Sequence, residues 1–125
     1  MSAARESPPR IVVIDDDPGV LEVLRVLLES AGYLVTAVES ALGAKSLIEQ
    51  VQPAAILLDL SLPYRFGMSL LRDLKATPST SAIPVVIVSG ITDVLPASER
   101  AMAAAVVAKP FETQQLLDLV QRHTG

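Results

Sequence analysis

The chain has 125 residues, 50% of them hydrophobic and 19% charged, which suits one compact domain with a substantial core. Ten Lys+Arg against 14 Asp+Glu give a formal charge of -4, and the basic residues form no run or stripe, so a nucleic-acid footprint is absent. There is no Cys and a single His, His123, which excludes a disulfide framework, a thiol nucleophile and a His-rich metal site, and agrees with a cytoplasmic location.

The mean hydropathy of +0.46 is high for a chain of this kind. The longest uninterrupted apolar stretch, Ala101 to Ala108, is nevertheless far short of the roughly 20 residues a spanning helix needs, so no membrane insertion is expected. A secretory signal is not expected either, because Pro8 and Pro9 precede a short apolar run that ends in three aspartates. Residues 1–9 read as a flexible tail, followed by one domain over residues 10–123. The hydropathy is then accounted for by an interior covered on both faces, as parallel sheets require.

In chain order, short apolar runs alternate with helical patterns. Ile11 to Ile14 reads as the first strand. The first helix is signalled by Asp17 at the N-cap, Pro18 at the first helical position, Val20, Leu21, Leu24, Leu27 and Leu28 on one face, and Gly32 at its end. A second strand, Tyr33 to Val38, leads to a helix from about Ser40 to Val51, which Pro53 follows. The third strand is Ala54 to Leu58, and the third helix, about Gly67 to Lys75, turns Leu70, Leu71 and Leu74 inward. Val85 to Val88 is the fourth strand, followed by a short helix starting near Pro96. Ala105 to Ala108 is the fifth strand, and the last helix runs from about Glu112 to His123 with Leu116, Leu117 and Val120 on one side. Five strands alternating with five helices predict a doubly wound α/β sheet, whose ligands bind at the carboxyl ends of the strands.

Those ends carry polar residues at four of five positions. Asp15, Asp16 and Asp17 follow the first strand, Asp59 the third, Ser89 and Gly90 the fourth, and Lys109 and Pro110 the fifth. Asp17 beside Pro18 is best explained as a helix cap. One cap cannot use three aspartates, so Asp15 and Asp16 need another account. Carboxylates converging from the first and third strands repel one another unless a cation is bound, and Mg²⁺, which takes one or two carboxylates with water and phosphate oxygens, fits the ligands on offer. Lys109 and Ser89 would hold the remaining oxygens of a phosphoryl group, and Asp59 is the natural nucleophile because a carboxylate can form an acyl phosphate.

The chain closely resembles the receiver domain of bacterial two-component response regulators over about residues 10 to 122. The matching pieces are VVIDDDPGV with Asp15 and Asp16, ILLDLSLP with Asp59 and Pro63, Gly67, PVVIVSG with Ser89, and AKPF with Lys109 and Pro110. The resemblance implies a flavodoxin-like sheet in the order 2-1-3-4-5. It further implies that Asp59 accepts a phosphoryl group from a phosphohistidine on a sensor histidine kinase or histidine phosphotransfer protein. Asp16 and Asp59 would bind Mg²⁺ directly, with the backbone carbonyl of Ser61 as a third ligand and Asp15 acting through water. Ser89 and Lys109 would contact the phosphoryl oxygens, and the Lys109–Pro110 peptide would be cis. The phosphorylated state would alter binding to a downstream protein or to an effector domain outside this chain, with repacking around the fourth helix, fifth strand and fifth helix.

Three features depart from the family pattern. Val106 occupies the position, three before the lysine, where most receivers carry an aromatic switch residue, and no aromatic lies between Ser89 and Lys109. Met102 and Ala103 stand where a Gly-Ala pair is common. Tyr64, Arg65 and Phe66 make a bulkier and more basic loop before Gly67 than is usual. Residues Ser61 and Ile91 occupy the positions that tune phosphate lifetime in receivers.

Two rival readings follow. An aspartate-nucleophile phosphatase of the haloacid dehalogenase type places D-x-D after a first strand, but here Pro18 and Gly19 follow where Gly-Thr is usual, and Pro110 and Phe111 stand where a further acidic pair is needed. The second rival is a receiver-like interaction module whose binding does not depend on phosphate, motivated by Val106. The favoured reading is a phosphoacceptor receiver rather than an enzyme.

Overall fold

The computed structural model describes residues 8–60, 65–90 and 95–124. Its elements are β1 (Arg10–Ile14), α1 (Pro18–Ser30), β2 (Leu34–Val38), α2 (Ala44–Val51), β3 (Ala55–Leu60), α3 (Arg65–Ala76), β4 (Val85–Ser89), α4 (Ala97–Met102), β5 (Ala105–Ala108) and α5 (Thr113–Thr124). The strands form one parallel sheet in the order β2-β1-β3-β4-β5, the order the resemblance implied. Residues 1–7 of the expected tail lie outside the described residues.

The period-two alternation of strand side chains divides the core into two layers. Ile11, Val13, Ala55, Leu57, Val86, Val88 and Val107 pack with Leu21, Leu24 and Leu28 of α1 and Leu116 and Val120 of α5. Val12, Ile14, Ile56, Leu58, Leu60, Val85 and Ile87 pack on the other face with residues of α2 and α3, including Ile48, Leu71 and Leu74. The central strands are therefore apolar at successive positions, whereas the edge strand β2 is partly exposed along its length.

Helix α1 begins as its sequence requires. Asp17 Oδ1 accepts hydrogen bonds from the amides of Gly19 at 2.8 Å and Val20 at 3.4 Å, and Pro18 occupies the first turn. Helix α2 starts at Ala44, later than the expected Ser40. The Leu42 amide donates to Ser40 Oγ at 3.1 Å in a local turn, and Gly43 has a φ of 78°, a left-handed conformation from which a helix can propagate only afterwards.

Helix α3 starts at Arg65, two residues before the expected Gly67. Gly67 is not a start signal but a point of close approach, because a Cβ there would run into Leu60 Cδ2. Strand β3 extends past the expected Leu58 through Asp59 and Leu60, which continue the ladder opposite Val88 and Ser89. The short helix α4 follows Pro96 as expected. No helix among the described residues is long and apolar enough to cross a membrane.

Candidate functional site

Alternation along the strands brings the chemical residues together. Asp15 continues the phase of Ile11 and Val13, Asp59 that of Ala55 and Leu57, and Lys109 that of Ala105 and Val107, all belonging to the α1/α5 face. In the β1–β3 ladder Ile14 lies opposite Leu58, so Asp15 and Asp59 follow at the same level, one step nearer the carboxyl ends. Lys109 arrives from the far side of β4 through the β4–β5 ladder, in which Ser89 lies opposite Ala108. Its peptide bond to Pro110 is cis.

The Lys109 ammonium forms an ion pair with Asp59 Oδ2 and stands 3.9 Å from Asp15 Oδ2. Both acidic side chains are only 2% exposed. Asp15 Oδ1 accepts from the Asp17 amide at 3.0 Å. Among the described residues, Asp15 Oδ2 and Asp59 Oδ1 have no hydrogen-bond partner, and Asp59 Oδ2 has only the Lys109 ammonium beside it. Two ionised carboxylates cannot donate to each other, and one ammonium leaves much of their charge uncompensated. Burial, and a hydrogen bond that a proton shared with Asp59 would supply, push the Asp15 carboxyl up to about 7, against the opposing effects of the Asp17 amide and Lys109. Orphaned, buried carboxylate oxygens are what a hard divalent cation satisfies, so the residues present fit such an ion.

Asp16 is exposed, and among the described residues no group of three His, Cys, Asp or Glu side chains is gathered closely enough to hold a metal. Asp15 and Asp59 are thus buried side by side at the site, whereas Asp16 is solvent-accessible. Ser61, Tyr64 and Ile91 lie outside the described residues, as do the side chains of Arg65 and Phe66.

Ser89 is fully buried, and its hydroxyl donates to the carbonyl of Leu60 at 2.9 Å. Sequence reasoning missed Leu60 as a member of the site. The signal available was the apolar alternation continuing through ILLDL, which makes Leu60 a strand residue rather than a loop residue. Val106 is half-buried against the α2/α3 layer, opposite Ile87 in the ladder.

The model of the response regulator receiver domain family matches residues 11–121. The chain belongs to that family. As a receiver domain of two-component systems, it is 31% identical over 115 residues to the DNA-binding dual master transcriptional regulator RpaA of Synechocystis, a match covering 90% of this chain and 48% of that protein. It is 32% identical to protein Rrf1 of Nitratidesulfovibrio vulgaris, covering 92% of this chain and 82% of the relative. The chain therefore spans about half the length of the first of these relatives and most of the second. Among solved structures, the receiver domain of a sensor histidine kinase from Pseudomonas aeruginosa superposes with a TM-score of 0.84 at 28% identity, covering 95% of this chain and 99% of that one. That structure holds a magnesium ion in its active-site cleft.

Proposed function

We propose that this receiver domain takes a phosphoryl group on Asp59 from a phosphohistidine of a sensor histidine kinase or histidine phosphotransfer protein. The observation that carries this reading is the buried pair Asp15 and Asp59, which the Lys109 ammonium meets at both carboxylates. An Asp59 carboxylate oxygen attacks phosphorus, the P–N bond breaks, and its electron pair returns to the imidazole nitrogen, leaving an acyl phosphate. Lys109 balances the charge of the phosphoryl oxygens once it leaves the free carboxylate. Ser89 supplies a second donor when its hydroxyl exchanges the Leu60 carbonyl for a phosphoryl oxygen.

Asp15, Asp16, Asp59 and the backbone carbonyl of Ser61 would hold Mg²⁺. The ion supplies neutralisation of the negative charge that the phosphoryl group brings against the carboxylates. Residues 10–123 are the functional unit in this reading and residues 1–9 a tail. The domain works in the cytoplasm without catalysing turnover of its own, and it signals by altered contact with a downstream protein or an effector domain. Val106 favours a second reading, an interaction module indifferent to phosphate, because it removes the aromatic on which family members rely.

Intact-mass measurement after incubation with acetyl phosphate and Mg²⁺ tests the proposal. One added phosphoryl group per chain is expected, lost with a chelator and lost in Asp59→Asn. Equal labelling of Asp59→Asn would overturn the site, continuous release of phosphate over many turnovers would favour the phosphatase, and no labelling at all would favour the phosphate-independent module.

A further inference from the structure

The helix α4 has six residues, too few for a helix to be stable by itself. Its inward side carries Glu99, which is buried, and Met102, which is half-buried against the α2/α3 layer, while Leu95, two residues before the helix and preceding the extended Pro96, is buried in that same layer. Of these three residues, Glu99 alone carries a charge. Glu99 is the buried residue of α4, and α3 is the helix on which α4 packs.

Glu99 Oε2 accepts from Arg72 Nε at 2.7 Å and also pairs with Arg72 Nη2, while Oε1 accepts from Ser98 Oγ at 2.6 Å. The two partners differ in what they can do without each other. The Glu99 side chain is 5% exposed, whereas that of Arg72 is 55% exposed and has water as an alternative partner. Without Arg72 the Glu99 carboxylate keeps only the Ser98 hydroxyl as a donor, so its burial becomes costly and the docking of α4 on α3 is weakened.

Both sides of the pair lead back to the phosphoacceptor. Arg72 stands on α3, whose Gly67 packs directly on Leu60, the residue after Asp59. Glu99 follows Ser89 along the connection from β4, and the Ser89 hydroxyl rests on the Leu60 carbonyl. Val106, a β-branched residue with a restricted χ1, has no large side chain to carry such a signal by changing rotamer.

We propose that the Arg72–Glu99 pair is a latch that docks α4 on α3 at rest and opens when Asp59 is phosphorylated, doing the work of the missing aromatic. This inference rests on the phosphoacceptor reading. The Ser98 hydroxyl and the Arg72 guanidinium hold the Glu99 carboxyl below its usual range, so the latch is charged at neutral pH.

Amide hydrogen exchange of the full chain, read over residues 95–104 with and without acetyl phosphate and Mg²⁺, tests it. In the parent, phosphorylation is expected to raise exchange there by about tenfold or more. Arg72→Ala should reach a similar level unphosphorylated, with phosphorylation adding less than about twofold, and Arg72→Lys, which loses the guanidinium fork, should fall between. Protection in β1 and β3 serves as the control for folding, and if Arg72→Ala fails that control, Arg72→Lys decides. Exchange unaltered by the substitutions at rest, or a full increment on phosphorylation in Arg72→Ala, overturns the latch. A parent that takes up no phosphoryl mass overturns the phosphoacceptor reading and the latch together, whereas labelled Asp59 with unchanged exchange over 95–104 overturns the latch alone.

Discussion

The hydroxyl of Ser89 and the carbonyl of Leu60 are joined by a buried hydrogen bond of 2.9 Å, so the group proposed to reach the phosphoryl oxygen is tied at rest to the strand that carries the acceptor. Ser89→Ala removes the donor and leaves a buried carbonyl without it. The expected cost is about 1–2 kcal/mol in urea unfolding, while Ser89→Thr, which retains the hydroxyl, should lose less. An alanine variant as stable as the parent would show that this bond contributes nothing at rest.

The acidic pair gives the metal-free protein a particular pH dependence. Burial, followed by the hydrogen bond with Asp59, raises the Asp15 carboxyl from 3.8 to about 7. The folded protein then holds a proton that the unfolded chain has already released, so this group's contribution is full below its unfolded value and is lost as pH rises towards 7. Glu99 has the opposite sign: held low by Ser98 and then Arg72, it contributes above its unfolded value of 4.5 and loses that contribution in acid. Urea midpoints in a chelator should therefore fall between about pH 5 and about pH 8, and Asp15→Asn should flatten the decline. A parent curve already flat over that range would count against the buried acidic pair.

Gly67 gives a test of close packing with an unusual sign. Alanine is the better helix former by about 1 kcal/mol, yet its Cβ would run into Leu60 Cδ2. Displacing Leu60 disturbs both the core beneath α3 and the strand end that holds Asp59. Gly67→Ala is expected to destabilise by about 1–3 kcal/mol, whereas Ser69→Ala, at an exposed position of the same helix, should be neutral or slightly stabilising. Calorimetry or urea unfolding of the two variants side by side distinguishes packing from propensity.

The strands were legible because parallel strands covered on both faces read as continuous apolar runs, and the start of α1 because Asp17 and Pro18 have few other uses. Boundaries went astray where tertiary contact overrides local signal. Asp59 and Leu60 stay in β3 because Val88 and Ser89 lie opposite them, and no local pattern places a carboxylate inside a strand. Gly67 reads as a helix start but sits inside α3 because Leu60 needs the space. The nearness of Asp15, Asp59 and Lys109 was legible only through strand order and parity. The Arg72–Glu99 pair left almost no trace, since a Glu and an Arg on separate helices read as solvated faces. Its burial depends on the docking of two helices distant in sequence, which no local pattern encodes.

The cation on the acidic pair comes from the last strand in chain order, while the two acids come from the first and third. As the chain is synthesised, the β1–β3 ladder can close and set Asp15 beside Asp59 well before Lys109 has emerged. Until β5 docks, the two acids lack the counter-charge of Lys109, and its docking supplies that charge. The electrostatic demand that later serves phosphoryl transfer also favours completion of the sheet, so a chain that has not closed its last strand lacks a finished acceptor site and cannot signal.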